Sequence, residues 1–294
     1  MSAITMTGMV SGVDGVAQSF LTEVYPALAS AVATPVYLAA VLYWALFGYR
    51  IYAGHAPLQW KDLLAKAVMT AGVFGALSWG ELAAQIYNVF LSFMEGAATT
   101  VMAGQSTPDL LDTLFQSVSA VADALQRSSF YQLGMVLAGL ALFVLNCALF
   151  VVALCYMTIA KIGLAITMVL LPLFAGFFLF EQTRHWGMNW VNKMLTFSLM
   201  YVLVVAIVKF GFQAFHDSFE AVGAFANDTS TLQKATDISL VSGQIYQLAI
   251  AEGVLILFML SVRSWAAALA SGASSSTGIL MMLFRSAVAK GVGK

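Results

Sequence analysis

Three small sets of residues have types and spacings from which chemistry could be built. In HDSFE, His216 and Glu220 stand at i and i+4, which can place two metal ligands on one helical face. A metal centre needs a third ligand, and without one the pair reads as a contact between helical neighbours. Lys161, Lys209 and Glu252 are ionisable groups inside apolar runs, the kind of group from which transporters build ion pathways. The third set lies in EQTRHWGMNWVNK, where Arg184, Trp186, Trp190 and Lys193 mix cations with indoles at a helical spacing. Such a mixture anchors a helix at a membrane surface against phospholipid. His55 falls in a turn. Cys147 and Cys155 share one apolar run and would stand about 12 Å apart along a helix, beyond disulfide reach. The sequence has no GxxxxGK[ST] phosphate loop, no GxSxG elbow and no HExxH pair. No enzyme activity, metal or cofactor is expected.

The elements that must carry these groups are membrane helices. Of 294 residues, 61% are hydrophobic and 9% charged, with a mean hydropathy of +0.88. Soluble domains carry about 25% charged residues. A net charge of −1 gives no bulk electrostatic case for nucleic-acid binding. Apolar runs at 36–52, 63–79, 130–180, 194–212 and 245–262 mark the spans, the first opened by Pro35 and the second able to continue as helix toward Phe93. Ten-residue alternation of apolar and polar residues is missing, so strands are not expected. The N-terminal stretch carries Asp14 and Glu23 but no Lys or Arg, which argues against a secretory signal.

Charge placement orients the spans. Arg50, Lys61 and Lys66 cluster after the first, and Arg184 and Lys193 precede the fourth. Acids dominate 81–129 and 217–243, and the tail carries Arg263, Arg285, Lys290 and Lys294 without an acid. Lys and Arg mark the cytoplasmic side. The expectation is therefore an outside N-terminus, an inside C-terminus and about five net crossings.

The run 130–180 is the difficulty. Lys161 is its lone charge, and as helix the run would measure roughly 75 Å against a hydrocarbon core of about 30 Å. A turn at Lys161 would make two crossings and put the acidic 217–243 loop inside, against the charge rule. One net crossing is expected instead, with part of the run over-long or re-entrant and a kink at Pro172. Surplus apolar helix needs a protein partner, so Leu137, Leu145 and Lys161 are candidates for a surface toward another subunit or a pilin. Lys161 is expected near a membrane boundary and away from acyl chains, either facing an interior surface or snorkelling without a role.

Between the second and third spans, Thr107 is a helix N-cap candidate, followed by Pro108 and Asp109. Leu110, Leu114, Val118, Val121 and Leu125 then recur at spacings of four, four, three and four, one apolar face of an amphipathic helix. That face packs either on its own subunit or on another protein. Ion-coupled transport by a secondary transporter or permease is the competing function; no repeat relates the two halves, and about five crossings do not divide into equal inverted bundles.

Two longer stretches carry a family resemblance. LYWALFGYRIYAGHAPLQWKDLLAKAV is an apolar span, an aromatic–glycine turn and a basic loop entering a second span. LPLFAGFFLFEQTRHWGMNWVNKMLTFSLMYVL is a proline-kinked helix, a turn ending in Thr-Arg, a Trp and another span. With the small-residue tail SWAAALASGASSSTG, these resemble the TrbL/VirB-six-like polytopic inner-membrane proteins of type IV secretion and conjugation systems. The resemblance covers Pro35 to about Gly278 and is loose in the two acidic loops. It agrees with the apolar runs and the charge pattern, which give an all-α, polytopic helical membrane protein with short periplasmic amphipathic helices. Its segments would be a periplasmic N-terminal stretch 1–34, two spans with a cytoplasmic turn 35–80 and a periplasmic loop 81–129. After these come the long apolar region and a further span 130–216, a second periplasmic loop 217–244, and a last span with a short cytoplasmic tail 245–294. It also implies a cyclic homo-oligomer acting as platform or channel for pilus assembly, in contact with pilin, a minor stalk pilin, assembly ATPases and arch proteins. Translocated DNA or protein would pass nearby.

Overall fold

A computed structural model describes residues 6–55, 57, 59–102, 112–113, 115–116, 118–119, 133–214 and 246–271. Among these residues there is no strand. Side chains this apolar leave the backbone as the polar part of the chain, and within lipid only intrasegment hydrogen bonds satisfy it. Helix is the outcome along nearly every described stretch.

Helix α1 runs from Met6 to Tyr52 over 47 residues, with Pro26 and Pro35 inside it. The sequence marked a helix start at Pro35, but the helix is already long established there. The reason is a buried face that continues through both prolines: Ala17, Leu21, Tyr25, Ala29, Val36 and Ala40. Packing along that face outweighs the roughly 3 kcal/mol that an interior proline costs a helix. Gly54, with φ of +72°, turns the chain after α1 in a conformation other residues resist.

Helix α2, Trp60–Gly75, is 16 residues long, about 24 Å. The second apolar run does not remain one helix. Ser78 adopts extended backbone, a π-helical turn follows over Trp79–Ala83, and α3 occupies Ala84–Val101. Helix α4 takes Leu133–Val169, 37 residues or about 55 Å, and passes Lys161 without turning. The chain bends at Leu170, with Pro172 in the first turn of the short α5, Leu171–Ala175. A 3₁₀ turn over Gly176–Phe178 leads toward α6, Arg184–Ala214. The last described helix, α7, spans Tyr246–Ser271. Four of these helices contain stretches long and apolar enough to cross a membrane: Gly8–Tyr52, Val136–Val169, Arg184–Gly211 and Tyr246–Ser271.

The chain divides into two compact units, and long helices contribute to both. Unit one draws on Met1–Val13, Met94–Ala160 and Met200–Trp265; unit two on Asp14–Phe93, Lys161–Leu199 and Ala266–Lys294. In unit two, α1 and α2 lie antiparallel. Lys66 donates to the Tyr43 hydroxyl at 3.0 Å, the Trp44 indole to Thr70 at 3.2 Å, and the Tyr25 hydroxyl to the Ala76 carbonyl. Leu21, Tyr25, Val73, Leu164, Met168 and Met194 build one apolar core there. Gly163 lets α4 approach α6 closely, since a Cβ at that position would meet the Phe197 ring at 2.4 Å.

In unit one, Met94, Ala98, Leu142, Met157, Val204 and Leu255 are buried. Asn146 on α4 donates to the Phe115 carbonyl at 3.1 Å and the Ser119 hydroxyl at 3.2 Å. The rings of Phe115 and Phe150 pack with centroids 4.7 Å apart.

Candidate functional site

The long helices α1 and α4 bring together two charges far apart in the chain. Lys161 Nζ donates to both carboxylate oxygens of Asp14, each at 2.6 Å. The Lys161 side chain is 5% exposed and that of Asp14 45%. The neighbours of Lys161 on α4, Ala160, Leu164 and Ala165, are buried as well. An ammonium taken this far from solvent is costly unless a carboxylate meets it, and Asp14 does so from α1. Lys161 is thus neither a turn nor a lipid-facing group.

Around the α2–α3 break, aromatic rings close the packing of unit two. Tyr25 and Trp79 lie with centroids 5.1 Å apart, and Trp79 and Tyr87 at 6.1 Å. The Tyr25 hydroxyl donates to the Ala76 carbonyl, an acceptor that the ending helix leaves without its usual donor. Near the end of α4 the Trp190 indole N–H reaches the Thr167 carbonyl at 2.7 Å, a second donor beside the Leu170 N–H at 3.2 Å. Of the expected membrane-surface group, Arg184, Trp186 and Lys193 are exposed, whereas Trp190 is buried. The four do not share one surface, because Trp190 is drawn inward to a backbone acceptor.

The other sequence candidates separate in the same way. Leu137 is 57% exposed, Leu145 half-buried and Lys161 buried, so they do not form one patch. The open side of α4 is a stripe of Leu137, Leu140, Val144, Val151, Ile159, Ile162 and Ile166, and Lys161 lies off it. On the amphipathic segment, Val118 is 1% exposed within its own chain. Leu110, Leu114, Val121 and Leu125 lie outside the described residues, as do His216 and Glu220.

Glu252 stands on α7, fully buried, and neither carboxylate oxygen has a hydrogen-bond partner. No hydrogen bond joins it to Lys209. Gly211 on α6 faces Leu255 so closely that a Cβ there would meet the leucine at 2.4 Å. Lys209, two residues earlier, is rotated about 200° from that contact.

In sequence, Asp14 stands out only as an acid of the N-terminal stretch. The available signal was a lone acid in an apolar helical face and a lone base in another.

A family model described as TrbL/VirB6 plasmid conjugal transfer protein matches residues 40–262. Two curated relatives are similar over 189 residues each: the type IV secretion system protein VirB6 of Bartonella henselae, 25% identical, and that of Bartonella quintana, 24% identical. Each alignment takes in 61% of this chain and 57% of the relative, so the match spans little more than half the length of those proteins. Lys161 and Glu252 fall inside the family match, and Asp14 precedes it.

Proposed function

This chain belongs to the TrbL/VirB6 family of plasmid conjugal transfer proteins, and from that premise we propose that it is an oligomeric inner-membrane platform of a type IV secretion system. In this reading it supports pilus assembly and the passage of DNA or protein. Its partners are further copies of itself, pilin and a minor stalk pilin, the assembly ATPases and arch proteins, with phospholipid around the spans.

One observation carries the reading: the open apolar stripe on α4 is longer than lipid can cover. From Leu137 to Ile166 it measures about 44 Å at helical rise, and still roughly 41 Å along the membrane normal at an average tilt of about 20°. The hydrocarbon core is about 30 Å thick. Apolar surface beyond the lipid calls for a protein neighbour, and a ring subunit or a pilin supplies one. Five crossings fit the order of the helices, with α1, the broken α2–α3 series, α4, α6 and α7 crossing in turn from an outside N-terminus. The segment 107–127 enters as the periplasmic element through which other components dock. Val118 then serves as its internal anchor to the helices beneath.

Cysteine crosslinking in the assembled apparatus tests this. Leu137→Cys and Val151→Cys should reach a neighbouring chain, and Ala153→Cys, which is buried, should not. Labelling of the stripe by lipid-phase probes alone, in a monomer that still supports secretion, would overturn the proposal.

Ion-coupled transport keeps one observation in its favour, the buried carboxyl of Glu252. Secretion that survives Glu252→Gln unchanged would count against it.

A further inference from the structure

The inward side of α7 repeats at helical spacing, with Leu248, Ala251, Leu255, Met259 and Val262 all buried. Glu252 interrupts that apolar side, with 0% exposure and two unpartnered oxygens. An ionised carboxylate there would need a cation or several donors, since a bare charge away from water is among the costliest groups a fold can hold.

Unit one offers no such cation among its described residues. The charged side chains there are Glu95, Asp112, Lys209, Glu252 and Arg263. Lys209 faces away from the Gly211–Leu255 contact. Arg263 lies further along the same helix, about 16 Å in rise, and is exposed. Glu95 and Asp112 are acids and supply no cation.

We propose that Glu252 is a proton-binding site within the membrane domain, and that its ligand is the proton held as a neutral carboxyl. The neutral acid keeps one O–H and one carbonyl among apolar side chains, where the ion would carry a full charge. Loss of the proton would put that charge within one helical turn of Leu255, at the close approach of α7 to Gly211. Proton occupancy and the seating of α7 on α6 are therefore coupled. The assignment stands apart from the oligomer reading, because it uses contacts within one chain.

Infrared difference spectroscopy of the full chain in bilayers tests it, with Glu252→Gln subtracted from the unaltered protein. The expected result is loss of a carbonyl-stretch band of a neutral carboxylic acid. Loss of carboxylate bands instead, with the acid region unchanged, would overturn the proposal. If Glu252→Gln does not fold, Glu252→Asp replaces it. The neutral-acid band should then shift in position, and a shift confined to the carboxylate bands would be equally fatal.

Discussion

The indole N–H of Trp190 donates to the carbonyl of Thr167 at 2.7 Å, tying the start of α6 to the last turns of α4. Trp186, one turn earlier, is 47% exposed and instead packs edge-on against Phe177 at 4.9 Å. The two tryptophans therefore have different jobs. Trp190→Phe should destabilise the protein by about 1 kcal/mol through loss of this buried hydrogen bond, the Thr167 carbonyl keeping the Leu170 N–H at 3.2 Å. Trp186→Phe should cost less. Thermal unfolding in detergent compares the two, and equal losses would contradict the assignment.

Asp14→Ala should leave the buried Lys161 ammonium without its carboxylate. A fully buried pair broken this way loses about 3–5 kcal/mol, and the half-exposed acid here brings the expected loss down to roughly 1–3 kcal/mol. Lys161→Leu should be milder, because it removes the charge that is costly to insert. The double variant should resemble Lys161→Leu alone. A double-mutant cycle on stability measures the coupling, and additive losses would mean that the 2.6 Å contact contributes nothing.

Val118→Asp should release the amphipathic segment from its own subunit, since the valine is 1% exposed and a lone carboxylate does not stay in such a place. Faster limited proteolysis near residues 112–119 is the expected readout, with membrane insertion intact. Asn146→Ala should act in the same direction by removing the donor to Phe115 and Ser119. Unchanged cleavage in both variants would refute the anchoring role.

The topology is open to a direct check. Cysteines replacing Ser119 and Ser230 should react with an impermeant thiol reagent from outside, and one replacing Ser286 should not. External labelling at 286, or protection at 230, would invert the proposed orientation.

Much of the helical plan could be read from apolar runs and from Pro172, because both act locally. The over-long helix around Lys161 followed from length alone. What escaped was tertiary. Pro35 looked like a helix start because a proline's local cost is visible, whereas the face from Ala17 to Ala40 that offsets it needs a partner to pack on. Asp14 looked like a loop acid because nothing near it in sequence requires a base. Trp190 matched a surface anchor by residue type and spacing, and only the end of α4 explains why it turns inward.

The ion pair also sets an order of events during synthesis. Asp14 and Lys161 are 147 residues apart, and at about 5–20 residues per second a ribosome needs roughly 7–30 s to make the chain between them. Throughout that interval α1 has its acid and not its base. The exposures of the two partners suit that delay: the acid that must wait is the one still open to water, and the base arrives last, to a carboxylate already in place. A late arrival of Lys161 therefore completes the seating of a helix made long before it.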